Sequence, residues 1–78
     1  MKGQLSTLGR EGHVVTKWDT DAPETVDEAR VAFDQMVGDG FAAFEVIAVN
    51  PAVSTKEQVR EFNPAAREIV MVGPHVGG

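Results

Sequence analysis

The chain has 78 residues, which makes one domain and leaves no room for a second core. It has no cysteine, so disulfide staples, cysteine zinc sites and thiol nucleophiles are excluded. Twelve acids against seven Lys and Arg give a net charge of −5, a poor match to nucleic acid or an anionic membrane, both of which want a basic surface.

A hydrophobic content of 42% is enough for a compact apolar core and argues against disorder. No apolar run reaches the length of a transmembrane span. The opening MKGQLSTLGREG has no apolar stretch of signal-peptide length, so the expectation is a soluble cytoplasmic domain.

Lys2 to Leu8 reads as a first strand, and LGREG after it as a turn with two glycines. His13 to Asp19 (HVVTKWD) is rich in β-branched residues and pairs with it as a hairpin. Val14, Thr16 and Trp18 fall on one side of that strand, Val15 and Lys17 on the other.

A helix follows near Thr25. Thr25 with Glu28 fits a capping box, and Pro23, Asp27 and Glu28 suit a helix start. Val26, Ala29, Phe33, Met36 and Val37 recur at helical spacing as one apolar stripe. Gly38-Asp39-Gly40 ends the helix, since glycine accepts the left-handed conformation common at helix C-termini.

FAAFEVIAV, residues 41–49, reads as a strand covered on much of both faces, with Glu45 its sole charge and Asn50-Pro51 its stop. Glu57 to Phe62 is a weaker strand or a turn of helix, and Asn63-Pro64 breaks the chain. Glu68 to Val72 (EIVMV) is the last strand. One helix with one apolar stripe needs a sheet to cover it. The order therefore predicts an α+β domain over residues 1–72: a mixed sheet of four to five strands with one helix across it, the β-grasp. Residues 73–78 are expected as a flexible tail. The expected core is Val14, Trp18, Val26, Ala29, Phe33, Met36, Phe44, Val46, Ile69 and Met71.

The chain lacks a glycine-rich phosphate loop. Asp19 and Asp21 make no calcium loop, because Pro23 stands at the next ligand position and the turn glycine is missing. His13 and His75 are far apart, Ser6 and Ser54 have no obvious base nearby, and paired carboxylates need a cleft, for which one helix on one sheet is expected to have little volume. No catalytic residue and no metal ligand is expected. Between Asp19 and Glu45 eight acids face one base, Arg30. This acidic stretch is either a solvated helix face or a docking surface for a basic partner.

The end of the chain is more informative. After Val72, Gly73 and Pro74 break regular structure, His75 and Val76 follow, and the sequence finishes on Gly77-Gly78. Glycine has no side chain, so such a tail can thread a narrow tunnel and bring a carboxylate to a nucleotide. The plain alternative is a frayed end.

Three segments resemble the ubiquitin-like sulfur carriers and small protein modifiers, a group that includes the molybdopterin synthase small subunit, the thiamine sulfur carrier and archaeal modifiers. VIAVNPAV (46–53) is similar to the strand after the family's helix. NPAAREIVMVGPHVGG (63–78) is similar to its last strand and Gly-Gly tail. ETVDEARVAFDQMV (24–37) is similar to its helix. Gly73 stands where the first of two prolines is usual, and His75 where a small apolar residue is usual.

The resemblance implies that an activating enzyme, with ATP and magnesium, adenylates the Gly78 carboxylate. A sulfur donor then makes a thiocarboxylate, or a target lysine makes an isopeptide bond. In that reading Gly77 and Gly78 are the activated terminus, and Gly73, Pro74, His75 and Val76 are the segment a partner recognises. Lys2, Lys17 and Lys56 are the candidate acceptors. The domain itself binds no cofactor and is not an enzyme. Its implied partners are the activating enzyme, target proteins or a sulfur-accepting enzyme, and a Gly-Gly-specific peptidase, with neither nucleic acid nor membrane. The alternative is a non-catalytic interaction module, for example a small assembly protein of a bacterial virus, with an incidental Gly-Gly end.

Overall fold

The computed structural model describes residues 1–9, 12–50 and 52–73. Strands β1 (Lys2–Gly9) and β2 (Gly12–Asp19) form an antiparallel hairpin, with Gly9 opposite Gly12. Helix α1 (Pro23–Gly38) follows, then β3 (Ala42–Asn50), β4 (Val53–Val59) and β5 (Glu68–Val72). The five strands make one mixed sheet in the order β2-β1-β5-β3-β4. The last strand is thus the central one. It pairs parallel to β1 and antiparallel to β3, and it alone joins the two hairpins. With one helix laid across one face, this is a β-grasp-like fold.

The register decides which residues meet the helix. Leu5, Ile69 and Trp18 share the helix-facing side with Met71 and Ala43, and all five are buried against Ala29 and Phe33 of α1. Phe62 closes the end of this core. Its ring lies edge-on to Trp18 at 4.9 Å and to Phe33 at 5.8 Å between centroids. The Trp18 indole N–H donates to the Pro64 carbonyl at 3.0 Å, so the one polar atom of the ring is satisfied as it is buried.

Three of the expected core residues lie elsewhere. Val14 shares the helix-facing side with Trp18, but it sits beyond the helix's cover and is 61% exposed. Phe44 and Val46 point to the opposite, uncovered face and are only half-buried. The helix also starts earlier than the capping box implies. It begins at Pro23, and Ala22 precedes it without a side-chain cap. Thr25 instead ties the helix to the hairpin. Its hydroxyl accepts from the Asp19 N–H at 2.8 Å and donates to the Ala22 carbonyl at 2.7 Å. At the other end Gly40 takes a positive φ of 97°, and the Phe41 N–H returns to the Met36 carbonyl at 2.9 Å. The segment expected as a weak element at Glu57 to Phe62 is the strand Val53–Val59, displaced toward the N-terminus. It is an edge strand, exposed except at Val59, so it needs no apolar alternation.

Candidate functional site

Strand β5 points the chain toward one end of the sheet. There the Gly73 N–H donates to the Leu8 carbonyl at 3.2 Å, so the residue after the last strand is still held by β1. The Phe41 ring lies beside Gly73, 3.5 Å from where a Cβ would be. Gly73 is thus the described part of the expected recognition segment. Pro74, His75, Val76, Gly77 and Gly78 lie outside the described residues.

The sheet face opposite the helix divides into two halves. Next to Gly73, one cross-strand row reads His13, Leu8, Val72, Ala42, and the next reads Val15, Ser6, Val70, Phe44, Gln58. Neither row holds a Lys, Arg, Asp or Glu. Leu8, Val15 and Val72 are 40 to 47% exposed, and Phe44 and Val70 are half-buried. An uncharged apolar patch on an open sheet face is the kind of surface a partner covers.

Toward the far end the same face becomes charged. Lys17, Gln4 and Glu68 form a row, and the Gln4 amide donates to the Glu68 carboxylate at 2.9 Å. The Ser6 hydroxyl is 3.4 Å from the same Glu68 oxygen. Lys56 sits opposite Val46 on the outer side of the sheet, and Lys2 precedes Gln4 on β1. The three candidate acceptor lysines are therefore exposed and share one face, at the end away from Gly73.

The acids of the helix, Glu24, Asp27, Glu28 and Asp34, are exposed on the other side of the molecule. The sole base among them, Arg30, lies over the Phe62 ring at 5.8 Å. The domain is thus polar in charge, with a helix side that is strongly acidic and a sheet face that holds every lysine.

Among the described residues no group of three His, Asp or Glu side chains is gathered to hold a metal. No helix among them is long and apolar enough to cross a membrane. Sequence reasoning missed Leu5, Phe62, Ala66 and the close approach of Trp18 to Gly3. The only signals for these were an isolated glycine in a strand and an aromatic at the end of a segment read as a weak strand or turn of helix. Comparison with protein-family models, with curated proteins and with solved structures finds no match to this chain.

Proposed function

We propose that this domain is a ubiquitin-like carrier or modifier whose Gly78 carboxylate is adenylated by a partner enzyme. The carboxylate attacks the α-phosphorus of magnesium-bound ATP and pyrophosphate leaves. A sulfur nucleophile or a target lysine amine then displaces AMP from the mixed anhydride, giving a thiocarboxylate or an isopeptide bond. The partner supplies the catalysis and this domain supplies the acyl group.

One observation carries the reading. The strand that leads to the Gly-Gly sequence is the central one, anchored through Gly73 to β1, and an uncharged apolar patch lies beside the point where it ends. A partner that accepts the tail can rest on Leu8, Val70, Val72 and Phe44 while it does so. A second reading has its own support. Both β2 and β4 are sheet edges, and an interaction module could add a partner's strand to either.

The test pairs ATP–pyrophosphate exchange by the activating enzyme with a thermal melt. Deleting Gly78, or Gly77→Trp, is expected to abolish exchange while the melting temperature moves by less than ~2 °C, because neither change touches the described core. Intact mass of the native protein should correspond to a chain ending at Gly78. If both variants still support exchange, the interaction-module reading replaces this one.

A further inference from the structure

At the end of the sheet away from Gly73 there is a cavity of about 420 Å³ between the start of β1, the end of β2 and the residue that leads into β5. Lys2, Lys17 and Arg67 line it, together with Gln4, Trp18 and Asp19. Three cations and one carboxylate line it, with the Glu68 carboxylate at its border through Gln4, so cations are in excess there in a chain whose net charge is −5.

Among the described residues none of the three cations has an ion-pair partner; the only bridges run from the Met1 amine to Asp19 at 3.8 Å and to Asp21 at 4.0 Å. The Asp19 carboxylate is also occupied by the Asp21 N–H at 2.9 Å. The one lining carboxylate therefore already has partners at its Oδ1. Three exposed cations around one hollow make a local positive potential that attracts an anion.

We propose that this cavity binds a phosphate dianion, free or as the phosphoryl group of a small phosphomonoester. The excess of cations over carboxylates in the lining favours an anion. The guanidinium of Arg67 offers a planar fork to two phosphate oxygens, and the ammonium groups of Lys2 and Lys17 approach from the strands as point charges. Trp18 is 2% exposed, so its ring walls the site without offering a face for a base to stack on. That restricts recognition to the phosphoryl group and does not require a nucleotide. The proposal is independent of the Gly-Gly terminus and uses residues at the opposite end of the sheet.

The experiment is an amide chemical-shift titration of the full chain with inorganic phosphate, with ionic strength held constant by chloride. Saturable shifts are expected at Lys2 to Gln4 and at Lys17 to Asp19, with millimolar affinity or tighter. The double variant Lys17→Gln, Arg67→Gln should weaken binding by about tenfold or more, the loss of two charge-assisted contacts. Lys56→Gln, on the same face but outside the cavity, should leave affinity unchanged. A parallel titration with glycerol 3-phosphate separates the sources: tighter binding than phosphate identifies a phosphomonoester, and weaker binding identifies the free ion. Absence of saturation, or equal affinity in the double variant and the parent when both give the same melting temperature, would overturn the proposal.

Discussion

Gly3 has no side chain, and the Trp18 ring occupies the space one would fill. A Cβ at this position would lie 2.3 Å from the indole and 2.7 Å from the Ala66 carbonyl oxygen, closer than atoms can approach. Gly3→Ala is therefore expected to displace Trp18 from its hydrogen bond to Pro64 and to destabilise the domain by ~1–3 kcal/mol in denaturant titration. Gly38→Ala is the contrasting case. Nothing lies within 4 Å of its Cβ position at the end of α1, so it should be neutral or stabilise by up to ~1 kcal/mol. Phe33, fully buried beneath the sheet and against Phe62, should cost ~3–5 kcal/mol when truncated to alanine, a large part of what a domain this small has. The role of Phe33 could be read from helical periodicity. That of Gly3 could not, because an isolated glycine in a strand does not say which distant ring will lie over it.

At the scale of elements, α1 has acids where its dipole favours them and also where it does not. Glu24 sits in the first turn, but the last turn has no base and Asp39 stands just past it, at the negative end. Asp39→Lys should raise stability by ~0.3–1 kcal/mol at low ionic strength, and the gain should shrink as salt is added. A melting temperature unchanged at low salt would show that Asp39 does not feel the helix terminus. Long periodic elements were legible in the sequence: α1 and the apolar β3 and β5 lie within a few residues of their expected bounds. Strand β4 was less so. Its sequence VSTKEQV is polar and its residues are mostly exposed, so no burial pattern marks it and only pairing with β3 makes it a strand. Phe44 and Val46 were assigned to the core for a related reason. A nearly continuous apolar run does not say which of its two faces is covered.

For the whole molecule, the decisive feature is that β5 is the sole link between the β1–β2 and β3–β4 hairpins. Ending the chain at Arg67 removes five residues of strand, including buried Ile69 and Met71, and leaves two hairpins with no shared ladder. Such a chain is expected to lose cooperative thermal unfolding altogether, since an isolated hairpin is at best marginal in water. A cooperative melt in this truncation would mean that the helix alone holds the hairpins together. Removing Gly78 should have no such effect, which separates what the end of the chain does for the fold from what it does for a partner. The position of the proposed phosphate cavity, the lysines and the apolar patch on one sheet was not legible before the register was known. Alternation assigns faces within a strand, but the row in which Lys17, Gln4 and Glu68 meet depends on pairings 13 and 64 residues apart in sequence.

The strand at the centre of the sheet is also the last of the five to leave the ribosome. Until Glu68 to Val72 emerge, both hairpins expose the edges that will become interior, and the helix lacks Ile69 and Met71 from the floor it rests on. The single sheet is therefore expected to close only after β5 is free. In the interval the nascent chain carries two unpaired edges, one of them the largely apolar β3, the state in which chains most readily pair with one another.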